Sequence, residues 1–425
     1  MKPQNSALAV SSLAERPTRS GAPGQEPDIT ASTGPSRAVT LLFAVACGLS
    51  VANIYYAQPL LDVMARDLAI SPAAIGGVVT MTQIGYALGL IFIVPLGDLL
   101  DRRRLIGAQA LLSGLALLVV GLAPNAAFLL AGMVAVGLLA VVVQVLVAFA
   151  ASMAADRERG RIVGRITSGI VIGILLARFV SGVLADVGGW RLVYLASAVL
   201  TVLMACLLFQ VLPKHHRVAT RISYPELLAS VVGLFVKEPI LRVRAVLALL
   251  IFAGFSVFWT SLVLPLSAAP FSLSHTEIGM FGLVGLAGAL AASWAGSLAD
   301  RGYGQHVTGL SLGLMALSWI PIALMGISLW NLILGVVLLD LAIQAVHITN
   351  QTMIFAVRPD ARSRLVGGYM VFYSVGSALG SIASTMVFAR AGWIGVCVLG
   401  AAISLSALLF WAATRRHQPV EIRAE

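Results

Sequence analysis

The chain has 425 residues, 59% of them hydrophobic and 11% charged, and a net charge of +10. Soluble domains run at roughly 45–50% apolar and about 25% charged, so this composition excludes a chain wrapped in polar surface and makes lipid its solvent. The basic balance does not mark a nucleic-acid binder. Lysine occurs only as Lys2, Lys214 and Lys237, and the arginines sit in short clusters between apolar runs, with no basic stripe interleaved with aromatics.

Residues 1–37 are rich in Ser, Pro, Gly and Thr and lack the apolar run that follows the basic start of a secretory signal. They read as a disordered cytoplasmic tail. Beyond them, a helix crossing the ~30 Å hydrocarbon core needs about 20 apolar residues. Uncharged runs of that size occupy 38–61, 68–97, 192–213, 278–299, 365–389 and 391–414. The uncharged run 105–155 is twice too long for one crossing and carries a turn signal, Pro124-Asn125, near its middle, so it predicts two spans. The segments 162–185, 245–265, 306–327 and 330–356 complete twelve. With the N-terminus inside, 24 of the 28 Lys/Arg residues fall on the cytoplasmic side; the others are Arg66, Arg191, Arg390 and, within a span, Arg178. Both termini are therefore expected in the cytoplasm of a bacterial-type inner membrane. The cysteines Cys47, Cys206 and Cys397 lie in apolar runs without metal or redox spacing.

A shift of 203 residues superposes two halves. Ser71, Ile75 and Gly76 fall on Ser274, Ile278 and Gly279; Arg161, Val163 and Gly164 on Arg364, Val366 and Gly367; Gly173 on Gly376; Gly189-Trp190 on Gly392-Trp393. Charged residues and tryptophan are rare here, so those matches carry most of the weight. The expected organisation is a six-helix bundle over 38–213, a linker over 214–244, a second bundle over 245–414 and a tail over 415–425. The linker's apolar middle, from Leu227 to Phe235, suits either a short helix on the membrane face or a plain tether.

The loop after the second span reads Gly97-Asp98-Leu99-Leu100-Asp101-Arg102-Arg103-Arg104, with an echo at 296–304 that includes Asp300 and Arg301. This resembles the Gly-x-x-x-Asp-Arg signature of the major facilitator superfamily over essentially all of 38–414. Asn53 to Pro59, the stretch from Leu176 to Gly182 and Gly189-Trp190-Arg191 are most similar to the drug/proton antiporter and sugar- or nucleoside-efflux group. The glycine-proline motif of those antiporters is replaced here by the stretch around Arg178. The resemblance implies an all-α fold of twelve spans in two pseudo-repeated bundles. It also implies a central path lined by spans one, four, seven and ten, and an inner gate where Gly97, Asp101, Arg102, Asp300 and Arg301 face the starts of spans eleven and five.

Ionisable groups are expensive within a membrane and mark function. Asp340, His347 and Arg178 are the ones well inside spans. Asp340, Gln344, His347 and Gln351 recur at intervals of four, three and four, within about 60° on a helix, a stripe that cannot face lipid. The repeat puts Gln144 opposite His347. Asn53 and Tyr56 in the first span share a face and join the candidate path, with Gln83 either there or in helix packing. Similar depths suggest that Arg178 and Asp340 pair, either permanently or in one state of a cycle that frees Asp340 for a proton; His347 is the other candidate carrier. No phosphate-binding Gly-x-x-x-x-Gly-Lys-Ser/Thr loop, metal cluster or hydrolytic triad is present in the sequence, so no cofactor and no enzyme activity are expected. The reading is a functional monomer that moves a small uncharged or amphipathic solute, with protons, by efflux. An uptake symporter or facilitator and a non-transporting sensor are the alternatives.

Overall fold

A computed structural model describes residues 36–154, 156–212, 223–285, 294–357 and 362–415, apart from the side chains of Asp98, Asp156, Arg157, Arg159, Asp300, Ala356, Arg362 and Ser363. Residues 1–35 of the tail expected over 1–37, the linker stretch 214–222, the last residues 416–425 and the Asp300 carboxylate lie outside the described residues. All regular structure among the described residues is helical. Among the described residues, eight helices are long and apolar enough to cross a membrane by length and composition. Two of these, at 52 and 51 residues, exceed one crossing twofold.

The elements follow from local chemistry. Helix α1 (Arg37–Tyr55) starts at Ser36, whose hydroxyl accepts from the Val39 amide, and a 3-10 turn at Gln58–Leu60 carries its line on to Leu61–Asp67. Next come α2 (Gly77–Phe92), α3 (Arg102–Gly121) and α4 (Ala126–Met153). The Pro124-Asn125 turn separates α3 from α4, and the Asn125 side chain caps α4 by accepting from the Phe128 amide. Helices α5 (156–187) and α6 (190–211) are two arms of one stretch broken at Gly188 and Gly189. A short helix, α7 (Tyr224–Lys237), opens with a Ser223/Glu226 capping box, followed by α8 (Pro239–Ser261) and α9 (His275–Val284). A π-helical segment, Ala299–Tyr303, leads into α10 (Gly304–Ala323), and α11 is Leu329–Val357. Helices α12 (362–391) and α13 (393–414) are again two arms, broken at Gly392.

The repeat is written in the main chain. Gly189 and Gly392 both take positive φ, +77° and +61°, and both sit where one arm turns into the next. Ala69 and Ser272, in the turns before α2 and α9, hold φ of +50° and +46°. Each pair is separated by 203 positions (392 − 189 and 272 − 69). Left-handed backbone at a residue other than glycine is uncommon, so its recurrence at the repeat interval marks a shared local geometry.

Two faces join the halves: α2 packs on α12, and α5 packs on α9. The polar contacts across them gather at one end. Thr80 Oγ1 donates to the Ala378 carbonyl at 2.9 Å, and Thr385 Oγ1 to that of Ala73 at 3.0 Å. Beyond these, His275 and Thr276 meet Asp186 and Asp62. Toward the other end, which carries Arg102–Arg104, α5 is largely exposed between 160 and 168, and a Cβ added at Gly164 or at its repeat partner Gly367 would meet nothing. The bundle is sealed at the His275 end and spread at the arginine-rich end. Large apolar side chains such as Val187, Leu310, Ile327 and Leu409 stand 69–78% exposed on its flanks, as lipid contact requires. Cys47 and Cys397 are buried, Cys206 is exposed, and all three are free.

Candidate functional site

The buried charges meet midway between the halves. Arg178, 3% exposed on α5, donates from Nε to Gln58 Oε1 at 2.8 Å. Its guanidinium lies 3.9 Å from the centroid of the Trp259 ring, with Tyr55 and Phe255 at 5.1 and 5.5 Å. Its Nη2 has no hydrogen-bond partner among the described residues. Trp259 belongs to α8, and its Nε1 donates to Asp340 Oδ1 on α11 at 3.2 Å. Arg178 and Asp340 therefore form no direct ion pair among the described residues; the indole stands between them. An aromatic face carries partial negative charge and an indole edge carries a donor, so one side chain serves both a cation and an anion.

Close approach depends on α9 and the residue that follows it. A Cβ at Gly285 would lie 2.7 Å from Asp340 Oδ2, and one at Gly282 would lie 3.0 Å from Arg178 Cβ. The same strip thus abuts both charged residues.

A second cluster continues from Asp340 along α11. His347 Nδ1 shares a hydrogen bond of 2.9 Å with the Tyr369 hydroxyl, and its Nε2 lies 3.2 Å from the Gln351 amide nitrogen. Phe252 packs edge-on against His347 at 5.1 Å and against Tyr373 at 4.0 Å. Tyr373 in turn meets Tyr55 of the first half, hydroxyl to hydroxyl, at 2.6 Å. Below His347, Asn350 donates to Tyr369 and accepts from Arg244 at 3.1 Å, and Arg244 also donates to Thr308 Oγ1. Arg244 is 0% exposed. The charge count assigns it to the linker, but it lies in the second turn of α8, which begins at Pro239.

The sequence-predicted residues divide. Asp340, His347 and Gln351 join this network, with Gln344 half-buried on the same stripe. Gln144 donates to the Tyr86 hydroxyl at 3.3 Å. Gln83 is buried with its Oε1 unpartnered among the described residues. Asn53, 1% exposed, accepts from Ser197 of α6 at 2.6 Å, so it is satisfied inside its own half, and the neighbouring Tyr56 is buried. It is Tyr55, about 100° further round the helix than Tyr56, that reaches the other half. Sequence reasoning passed over Tyr55, Trp259, Arg244, Tyr369 and Tyr373. The adjacent tyrosines were a visible signal, but only one of them can face inward and the pattern does not say which.

At the arginine-rich end, the Asp101 carboxylate accepts from the Arg104 amide and so caps α3 rather than the start of α12. A carboxylate is favoured there by the free N–H groups and dipole of a helix start. Arg102 donates from Nε to the Gly97 carbonyl and from Nη1 to Ser152 Oγ, while Arg103 covers the Phe209 ring at 4.7 Å. Arg301 is exposed on the π-helical segment, beside Gly302 with φ of +88°.

A family profile described as Major Facilitator Superfamily matches residues 41–267 and 245–425. The chain is 47% identical over 376 residues to an uncharacterized transporter, YgaY, of Escherichia coli O157:H7, covering 88% of this chain and 95% of that one. It is 33% identical over 409 residues to a protein of Streptomyces coelicolor named as a probable transporter, covering 95% and 93%. Among solved structures, a bacterial homologue of the human lysosomal transporter Spinster, inward-facing and occupied, aligns with a TM-score of 0.74 at 15% identity, covering 89% of this chain and 96% of that one. The nucleoside transporter NupG aligns with a TM-score of 0.69 at 14% identity, covering 88% and 99%. At those identities the structures speak for the fold, and the profile and relatives for the lineage: the chain belongs to the major facilitator superfamily and is a transport protein rather than an enzyme.

Proposed function

We propose that this protein is a secondary active transporter of twelve spans in two six-helix bundles, with both termini in the cytoplasm of a bacterial inner membrane. It exports a small uncharged or amphipathic compound, such as a drug, nucleoside or sugar-like metabolite, in exchange for protons by alternating access. The span count is supported by the two double-length helices with their glycine breaks, by the shorter α2, and by α9, which overlaps the span expected over 278–299. The orientation is supported by the arginine distribution, which makes the spread end cytoplasmic and the state inward-facing.

The observation that carries the proposal is Trp259 standing between Arg178 and Asp340 at the boundary of the halves. Arg178 belongs to the first bundle, Trp259 and Asp340 to the second. Rocking one bundle against the other therefore changes the distance between the charges. A carboxylate touching a guanidinium stays ionised, and one parted from it in apolar surroundings binds a proton. The Arg178 Nη2 donor, without a partner among the described residues, is available for direct pairing in the opposite state. The surrounding walls are aromatic and amide-bearing, which suits a solute with little net charge.

The test is counterflow and pH-gradient-driven transport in proteoliposomes, across a panel of nucleosides, sugars and amphipathic drugs. Wild-type protein exchanges its substrate without a gradient and is accelerated by one. Asp340→Asn retains exchange and loses the acceleration. Undiminished coupling in Asp340→Asn removes Asp340 from the mechanism, and accumulation of substrate on the cytoplasmic side replaces efflux with uptake.

A further inference from the structure

We propose that the space between α2, α7 and α12 is a binding site for one anionic phospholipid of the cytoplasmic leaflet, with an acyl chain in the pocket and the phosphate on Arg364. This rests on the topology proposed above. The pocket holds about 290 Å³ and is walled by Leu90 of α2 and Val94 in the turn after it, Val231 and Phe235 of α7, and Gly368 and Phe372 of α12. Arg364 is the one charged residue in that lining among the described residues. It is half-buried, and its guanidinium has no hydrogen-bond or ion-pair partner among the described residues.

The walls come from both halves, and α7 ties them together. The Tyr224 hydroxyl donates to the Phe92 carbonyl at the end of α2, at 2.8 Å. At its other end, Phe235 stacks on Phe372 of α12 at 5.3 Å and covers Gly368, where a Cβ would lie 2.6 Å from the Phe235 ring. Val232, at the rim of the pocket, and Val236 stand 64% and 71% exposed, as on a helix lying in the membrane interface. A ligand matching this site is largely aliphatic and carries one anionic group. A small soluble anion leaves the apolar walls uncovered, and a neutral amphiphile leaves Arg364 without a counter-charge. An anionic phospholipid meets both demands from the leaflet in which the pocket lies. Because α2 and α12 belong to different bundles, occupancy favours the separation they have in this state and so weights the transport cycle.

The test is lipid retention by the full chain, reconstituted in mixed phosphatidylglycerol/phosphatidylcholine nanodiscs and read by native mass spectrometry after release into detergent. The expected preference for phosphatidylglycerol is about fivefold, the contribution of one basic side chain. It disappears in Arg364→Gln, and total retained lipid falls in Val231→Trp, which fills the pocket. Inorganic phosphate leaves the preference unchanged. Equal retention of the two lipids, an undiminished preference in Arg364→Gln, or displacement by inorganic phosphate overturns the proposal. Labelling of Lys237→Cys in a cysteine-free chain, from outside intact cells, separates the two readings. Labelling there overturns the topology and this site with it; protection together with equal lipid retention overturns the lipid site alone.

Discussion

Trp259 spends both of its chemical assets inside the bundle, its ring face under Arg178 and its N–H on Asp340. Trp259→Phe keeps a face and deletes the donor, leaving a buried carboxylate oxygen without that partner. A loss of about 1–3 kcal/mol is expected, read as a lowered thermal midpoint in detergent, together with weakened gradient-driven transport. Tyr55 and Tyr373 form one hydrogen bond across the halves, so Tyr55→Phe, Tyr373→Phe and the double variant are expected to be non-additive, coupled by about 0.5–3 kcal/mol. Additive effects would mean that the hydroxyls act separately. At this scale the polar stripe from Asp340 to Gln351 was legible because ionisable residues are rare in apolar sequence. Its aromatic partners were not, since Trp259 or Tyr55 read in isolation is one more core residue. Arg244 misled for another reason. Counting charges treats every arginine as a boundary, while a guanidinium met by Asn350 and Thr308 can sit wholly inside.

Helix boundaries followed the punctuation. Pro124-Asn125 separates α3 from α4, and Gly189-Trp190 and Gly392-Trp393, matched by the repeat, coincide with the breaks before α6 and α13. What the sequence did not disclose is why those glycines are there: both turns require left-handed backbone. Gly189→Ala and Gly392→Ala are therefore each expected to cost about 1–3 kcal/mol, seen as similar drops in the thermal midpoint. No added Cβ contact complicates the reading, because the space around both is open. The apolar middle of the linker left a tether and a helix equally open. The Ser223/Glu226 capping box decides for the helix by satisfying its first amides.

Across the whole molecule, the sealed end turns on His275. Its Nε2 lies 3.0 Å from Asp62 of the first half, and its Nδ1 lies 3.1 Å from Asp186 at the end of α5. Asp62 also holds Arg66, Asp186 also accepts from Thr276, and Glu277 is occupied by the cap of α9. The hydrogen bond to Asp62, with Asp186 adding to it, holds the imidazole above its ordinary range despite partial burial. A raised imidazole stabilises the closed end fully below about pH 6.5, the unperturbed value, and that contribution is lost as pH rises through the raised one. Thiol labelling of Thr80→Cys in a cysteine-free chain in detergent is thus expected to quicken as pH climbs from 6 toward 9. The rise flattens in His275→Gln, and a pH-independent rate in the parent chain would remove His275 from the seal.

The left-handed corners at Ala69 and Ser272 share a shape without sharing a side chain. Symmetry in this molecule persists in the main chain and has been abandoned by the chemistry. Counting back 203 positions, Asp340 answers to Gly137, Gln344 to Val141 and Gln351 to Ala148; counting forward, Arg178 answers to Ser381. Only His347 keeps a side-chain amide, Gln144, as its counterpart. Asp340 and Arg178 are single copies, with no like charge in the opposite half to take over their task when they are lost.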